Sequence, residues 1–176
     1  MLAGPRREEP MALSVRILGI DPGLRRMGWG VIRVEGSRLS AIAHGVVTPP
    51  TAAPLSERLM HLFNSVGDLV RQHGPDEAAI EEAFMAANAA SALKLGHARA
   101  AAMLAPARAG LPVAEYAARL VKKSVVGTGA ADKAQVAAMV GILLPGTKAT
   151  ADAADALAIA ICHAHHRRAT SLGSAA

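Results

Sequence analysis

The order of apolar and polar positions predicts a chain that opens with strands and continues with helices. Three short apolar runs, at 15–20, 29–34 and 39–47, carry side chains typical of buried strands. The second and third runs are separated only by the short turn Glu35-Gly36-Ser37. Strands connected in this way are typical of an antiparallel meander. We therefore expect this part of the chain to form three adjacent strands.

Helical periodicity begins near residue 55. Between Leu55 and Val70 the apolar residues recur at the spacing of one helix face, and His73-Gly74-Pro75 is expected to end that helix. Apolar segments at 76–81 and 113–116 predict two further strands. Further helices are predicted at about 87–105, 117–124, 132–143 and 151–166, with a loop at 125–129.

This order predicts an α/β fold with a five-stranded mixed sheet, in which an antiparallel meander is followed by parallel strands, flanked by helices. Right-handed crossovers would place the later strands beside the first, so their carboxyl ends would share one edge. Ligands of open α/β sheets gather at that edge. Asp21 follows the first strand directly, and Glu81 closes the fourth. Both acids are therefore expected where ligands bind.

Composition narrows the class of protein. A chain of 176 residues fits one domain, which we place at 14–166, between a disordered extension at 1–13 and a flexible tail at 167–176. Alanine is abundant, so helices are expected to pack closely, and Gly19 would allow such an approach to the first strand. The net charge of +5 favours an anionic partner, with nucleic acid as the leading candidate.

The sequence also suggests where the protein works. Cys162 is the only cysteine, which excludes an internal disulfide and suits a reducing cytosol. No apolar run approaches the roughly 20 residues that cross a bilayer. The segment from Met1 to Pro10 lacks the apolar stretch of a secretion signal. We therefore expect a cytoplasmic protein.

Four carboxylates form the main candidate site. Asp152 and Asp155 are three residues apart in a predicted helix, so they share one face. Together with Asp21 and Glu81 they would form a cluster that is unfavourable unless a cation fills it. Magnesium and manganese prefer oxygen ligands and often bind through carboxylates and substrate phosphate. Two such ions could activate a water and stabilise the leaving oxygen of a phosphodiester.

Each acid also has a simpler interpretation. An aspartate before Pro-Gly, such as Asp21, is usually a turn residue. An aspartate pair at a helix start, such as Asp152 and Asp155, usually stabilises the helix dipole. Glu82 stands beside Glu81, and strand alternation would turn one of the two away from the site. The candidate site therefore depends on a fold that brings distant acids together.

Several long segments carry a recognisable set of motifs. They are Ile17-Leu18-Gly19-Ile20-Asp21-Pro22-Gly23, Ala79-Ile80-Glu81-Glu82-Ala83-Phe84, the run from Asn88 to Arg99, Tyr116-Ala117-Ala118-Arg119, Val121-Lys122, Val125-Val126-Gly127 and the run from Asp152 to Ala160. Together they closely resemble the bacterial RuvC-type Holliday-junction resolvases. The resemblance covers roughly residues 14–166 in order, and such a set of long matches is highly specific.

The resemblance implies an RNase H-like fold and a homodimer that makes paired symmetric nicks in four-way DNA junctions, in recombination and DNA repair. It implies magnesium or manganese as the cofactor, 5′-phosphate ends as products, and a branch-migration motor as a partner. The family's catalytic, metal-binding acids fall on Asp21, Glu81, Asp152 and Asp155. The family's basic residues near the scissile strand fall on Lys122 and Lys133. Its aromatic residue near the junction centre falls on Phe84.

The matched residues make physical sense for DNA. Lys122 and Lys133 could neutralise phosphate that the acids repel, although exposed lysines are by default only solvated. Phe84 could stack on unpaired bases, although a phenylalanine is by default a core residue. Lys94 and Arg99, on the helix that follows, are weaker candidates for contacts to the DNA backbone. The histidines near the end of the last helix are interpreted as dipole partners, and the metal site uses no histidine.

Three alternatives stay open at this point. A binding module could recognise branched DNA without cutting it, in which case the acids would not be needed. An RNase H-like nuclease could act on RNA. An actin-like nucleotide-binding enzyme has a similar turn, which Asp21 and Gly23 followed by Gly28 would supply, but it needs a second lobe for which this chain is too short.

Overall fold

A computed structural model describes residues 14–82 and 88–173, with side chains described as far as Arg167. Its strands are β1 (Val15–Asp21), β2 (Met27–Glu35), β3 (Arg38–Val47), β4 (Glu77–Glu81) and β5 (Val113–Tyr116). Its helices are α1 (Leu55–His73), α2 (Ala89–Arg108), α3 (Ala118–Val126), α4 (Lys133–Leu143) and α5 (Ala151–Gly173). Each predicted strand and helix is present; β5 has the predicted bounds, and most of the others differ from theirs by a few residues.

The described strands form a five-stranded sheet in the order β3-β2-β1-β4-β5. The first three strands form the predicted antiparallel meander, in which Ile20 pairs with Trp29. Strand β4 then runs parallel to β1, and β5 runs parallel to β4. The predicted mixed α/β sheet is therefore confirmed, and the carboxyl ends of β1, β4 and β5 share one edge.

Helix α5 lies unusually close to one face of the sheet because glycines in β1 and β2 leave room for it. A Cβ on Gly19 would lie 2.1 Å from the carbonyl oxygen of Ala156, and a Cβ on Gly28 would lie 1.9 Å from that of Asp152. Helices α3 and α4 pack beside α5 and complete the apolar core on this face. Helices α1 and α2 cover the opposite face. The start of α5 is thereby held against the ends of the strands.

Three helices run further than predicted, and the first of them, α2, ends at Arg108 instead of at about 105. Helix α3 extends to Val126, into the predicted loop at 125–129, and ends at Gly127, whose φ of 93° is the left-handed conformation that glycine adopts readily. Helix α5 extends to Gly173 instead of ending near His166. Arg167, which we predicted to begin a flexible tail, donates hydrogen bonds of 2.8–3.1 Å to the Glu77 carboxylate. This contact anchors the helix beyond its predicted end.

Some predicted features fall on residues that the structure leaves undescribed. Segments 1–13, 83–87 and 174–176 lie outside the described residues, and they include the predicted N-terminal extension and Phe84. Among the residues that are described, no helix is both long and apolar enough to span a membrane.

Candidate active site

Two carboxylates stand side by side where β1 and β4 end. The strands are parallel and Ile20 lies opposite Ile80, so Asp21 and Glu81 follow at the same level. Ala79 belongs to the core beneath α5, and strand alternation directs Glu81, two residues later, to the same face. The neighbouring Glu82 is exposed. Of the two adjacent glutamates, Glu81 is therefore the one that faces α5.

Helix α5 brings a third acid to this edge of the sheet. Asp155 lies near the start of the helix, and its side chain is 21% exposed. With Asp21 and Glu81 it lines a cleft of about 300 Å³, which we call the acidic cleft. Lys122 from α3 and Lys133 from α4 also line the cleft, and its other walls are the apolar residues Ala118, Val121, Val136, Ala158 and Ile159. Apolar walls strengthen the interactions between charges inside the cleft.

The clustering of acids shifts their protonation. Burial, followed by the charges of Glu81 and Asp155, raises the pKa of Asp21 from its usual 3.8 to about 8. Burial also raises the pKa of Glu81, whose carboxyl group stands beside that of Asp21. Two buried carboxylates side by side repel each other, and this repulsion favours the protonated form of one of them or the binding of a cation.

Lys133 neutralises the third acid. Its Nζ donates a hydrogen bond of 2.8 Å to Oδ2 of Asp155, and this bond raises the pKa of Lys133. Lys133 is the first residue of α4, and a capping box fixes the start of that helix. In the box, the Asp132 carboxylate accepts from the backbone N–H of Gln135, and the Gln135 side chain accepts from the backbone N–H of Asp132. The cap therefore helps to place the ammonium group at the rim of the acidic cleft.

The fourth predicted acid, Asp152, is not among the residues that line the acidic cleft. Its Oδ2 accepts a hydrogen bond of 2.7 Å from Nε of Arg26. Over residues 14–82 and 88–167, no three carboxylate, histidine or cysteine side chains already stand close enough to hold one ion. Arg26 holds Asp152 and Lys133 holds Asp155, so metal binding would require these two acids to exchange partners.

The donor set nevertheless suits a hard divalent cation. All four acids offer carboxylate oxygens, the ligands that magnesium and manganese prefer. The raised pKa values of Asp21 and Glu81 show that ionising both acids is unfavourable, and a bound cation would offset that cost. The buried His163 is engaged elsewhere, with Tyr116 at 2.8 Å and Glu77 at 2.6 Å.

The predicted DNA contacts fall in different places. Lys122 and Lys133 line the acidic cleft. Lys94 lies in a neighbouring groove of about 510 Å³, which we call the basic groove and which is lined by Gly23, Leu24, Arg25, Arg26, Arg58, Ser91, Lys94 and Leu95. Arg99 binds within the protein, where its Nε donates to the carbonyl oxygen of Glu81 at 3.0 Å and its guanidinium pairs with Glu115. Arg99 thereby supports the end of β4.

Three basic residues near the site were not singled out from the sequence. Arg25, Arg26 and Arg58 line the basic groove together with Lys94. A signal for the first two was available, because they follow the Asp-Pro-Gly turn almost directly. Arg58 had no such signal, since it lies on α1 and reaches across to donate a hydrogen bond of 2.7 Å to the carbonyl oxygen of Leu24.

Comparison with known proteins agrees with this geometry. Residues 17–163 match the family model described as Crossover junction endodeoxyribonuclease RuvC. The protein of that name from Caulobacter vibrioides is 65% identical over 156 residues, which cover 88% of this chain and 92% of the relative. The one from Xanthobacter autotrophicus is 58% identical over 164 residues, which cover 93% of this chain and 97% of the relative.

The fold has a close counterpart among solved structures. The structure of Thermus thermophilus RuvC in complex with a Holliday junction substrate matches with a TM-score of 0.83 at 33% identity. The match covers 89% of this chain and 96% of that chain. The sheet and helices described above are thus the RNase H-like fold that the resemblance implied. Taken with the family match over most of its length, this shows that the chain belongs to the RuvC family of crossover junction endodeoxyribonucleases.

Proposed function

We propose that this protein is a Holliday junction resolvase, an endonuclease that makes paired symmetric nicks in four-way DNA junctions during recombination and repair. The observation that carries the proposal is the acidic cleft, where Asp21, Glu81 and Asp155 meet beside Lys122 and Lys133. The choice of substrate is supported by the Thermus thermophilus relative, which was solved with a Holliday junction substrate.

The four acids are proposed to hold divalent cations, magnesium or manganese, with two ions in each active site. Such ions, when bound, activate water and stabilise the leaving oxygen of a phosphodiester. The chain supplies carboxylates from β1, β4 and α5 and sets them against apolar walls. Asp21 and Glu81 would hold the ions as carboxylates, and Asp155 would do so once it is released from Lys133.

Lys122 and Lys133 are proposed to receive the scissile phosphate. A DNA backbone is repelled by the acids, and two ammonium groups at the rim offset that repulsion. Lys133 is 78% exposed even while it binds Asp155, so its ammonium group can turn to a phosphate. Departure of the 3′ oxygen would leave 5′-phosphate ends. Phe84 is proposed, by resemblance, to stack at the junction centre.

We further propose that two copies act together, because a junction has two strands to cut symmetrically. Helix α2 offers a surface for the contact, since Leu93 and Leu104 are 63% and 59% exposed and lie on one face about three turns apart. Gly96, between them, has open space around its backbone. A stripe of leucine and small residues is suited to a two-fold interface. The branch-migration motor is a further partner proposed from the family resemblance.

Incubating the purified protein with a synthetic four-way DNA junction tests this function. With magnesium or manganese we expect two symmetrically placed nicks, and with a chelator we expect binding without nicks. A linear DNA duplex and an RNA duplex of the same sequence serve as controls and should not be cut at a comparable rate. Binding without nicks under every metal would instead indicate a branched-DNA binding module, and preferential cutting of the RNA would indicate an RNA nuclease.

A further inference from the structure

Arg26 stands between two parts of the molecule that the proposed function uses. It lies on the loop between β1 and β2, and its side chain is 57% exposed. Its Nε donates a hydrogen bond of 2.7 Å to Oδ2 of Asp152, one of the four proposed metal ligands. The same side chain lines the basic groove. Arg26 therefore links the basic groove to the Asp152 carboxylate, so that binding at one can change the other.

The basic groove has the properties of a binding surface for a chain of phosphates. Its described lining residues include four basic side chains, Arg25, Arg26, Arg58 and Lys94, and no acidic one. These basic residues come from the β1–β2 loop, α1 and α2, so the positive charge extends along the groove. Gly23, which also lines the groove, closely follows Asp21 of the acidic cleft. A DNA backbone that leaves the acidic cleft on this side would next contact these arginine and lysine side chains.

The backbone of Asp152 is held in place, so only its side chain can change partner. The carbonyl oxygen of Asp152 occupies the space where a Cβ on Gly28 would be, 1.9 Å from that position. The first turn of α5 therefore rests directly on β2. The Asp152 carboxylate is 31% exposed, and it lies on the same helix face as Asp155. Any approach of this carboxylate to the acidic cleft must therefore come from rotation of its side chain.

We propose that Arg26 is a positioning residue with two alternative partners, the Asp152 carboxylate in the free protein and a backbone phosphate of the junction in the complex. The pair that it forms with Asp152 is solvent-exposed, and such pairs are weak. A phosphate binds a guanidinium through two parallel N–H groups and can displace the carboxylate. Asp152 is then released to become the fourth carboxylate of the metal site.

This inference rests on the proposed function and adds to it an order of events. In the free protein Arg26 holds Asp152 away from the metal site, and junction binding frees this ligand. Because coupling between two binding sites is reciprocal, metal binding must also favour the release of Arg26 to DNA. Cleavage chemistry is thereby linked to correct engagement of the substrate in the basic groove.

Manganese titrations followed by electron paramagnetic resonance test the proposal without measuring activity. The variant Arg26→Gln is compared with Arg25→Gln, which removes the same charge from the same groove at a residue with no hydrogen bond or ion pair to Asp152. In the DNA-free protein, Arg26→Gln should bind Mn²⁺ about two- to fivefold more tightly than Arg25→Gln, the equivalent of one exposed ion pair. With a junction made uncleavable by phosphonate linkages at the two scissile positions only, which leaves every other backbone phosphate intact, this difference should disappear. Arg26→Lys keeps the charge but lacks the Nε donor and the two parallel N–H groups, so its Mn²⁺ affinity without DNA should lie between those of the wild type and Arg26→Gln.

The outcomes separate this inference from the function on which it rests. Equal Mn²⁺ affinities of the DNA-free Arg26→Gln and Arg25→Gln proteins would overturn the role of Arg26 and leave the resolvase function intact. A difference that persists unchanged on the junction would also overturn it, because DNA would not then have released Asp152. A wild type that binds neither Mn²⁺ nor the junction would overturn both proposals.

Discussion

Replacing Glu81 with glutamine is expected to lower the rate of junction cleavage by about 10³-fold while junction binding survives. A metal ion at such a site supplies several kcal/mol of transition-state stabilisation, and each 1.36 kcal/mol corresponds to about tenfold in rate. Glutamine keeps the shape of the side chain but removes the charge that would hold the ion. It also removes a negative charge from the path of the DNA, so the junction affinity should be unchanged or higher.

Glu82→Gln is the matched control for this experiment. It makes the same chemical change one residue later, at an exposed side chain that strand alternation turns away from α5. Single-turnover cleavage and junction binding, measured at saturating metal for both variants, should show the loss only in Glu81→Gln. A Glu81→Gln protein that cuts at the wild-type rate, or a Glu82→Gln protein that loses cleavage equally, would remove Glu81 from the proposed site.

Gly19→Ala is expected to destabilise the protein by at least about 3 kcal/mol, at the upper end of the cost of overpacking. The added Cβ would lie 2.1 Å from the carbonyl oxygen of Ala156 and 2.8 Å from the backbone nitrogen of Ala160. Both atoms belong to the backbone of α5, so neither can rotate away as a side chain could. The helix must move from the sheet, and Asp155 moves with it. The melting temperature should fall by roughly 6–12 °C for a chain of this size.

Gly141→Ala provides the control of opposite sign. Gly141 lies within α4, and a Cβ there meets nothing within 4 Å. Alanine in a helix is favoured over glycine by about 0.5–1 kcal/mol, so this variant should be slightly more stable than the wild type. Thermal melts of both variants under identical conditions make the comparison. If Gly19→Ala had the same melting temperature as the wild type, α5 would not pack directly against β1 as described.

The strand-borne half of the site could be predicted because it follows from general rules. An apolar run that ends in an acid places that acid at the end of a strand, as for Asp21 and Glu81. Right-handed crossovers then bring the ends of parallel strands to one edge. The position of Glu81 relative to Glu82 required the observed pairing of β4, because alternation alone does not say which face is covered.

The partners of the helix-borne acids could not be predicted from the sequence. The spacing of Asp152 and Asp155 indicates a shared helix face, but the way each carboxylate points depends on the nearest basic side chain. Arg26 lies in a loop without periodicity, and its contact with Asp152 spans 126 residues. The contact between Arg167 and Glu77 spans 90 residues, and without it the end of α5 resembles a frayed terminus. Long-range ion pairs of this kind leave no local signature.

The central claim is that buried acids meet in one cleft that is tolerated only when a proton or a cation occupies it. Asp21 has a folded pKa of about 8, raised by burial from its usual 3.8. In this window the folded state binds more protons than the unfolded state, so the contribution of Asp21 to stability falls as the pH rises toward 8. Asp21→Asn lacks this titration and should not share the loss.

The most direct test is the melting temperature of the wild type and of Asp21→Asn from about pH 5 to about pH 9, first with a chelator and then with manganese. Without metal, the wild type should lose stability relative to Asp21→Asn as the pH rises. Manganese should restore the wild type at the alkaline end and stabilise the variant much less. Parallel curves for the two proteins, with no greater response of the wild type to manganese, would contradict the claim that these acids form a cation site.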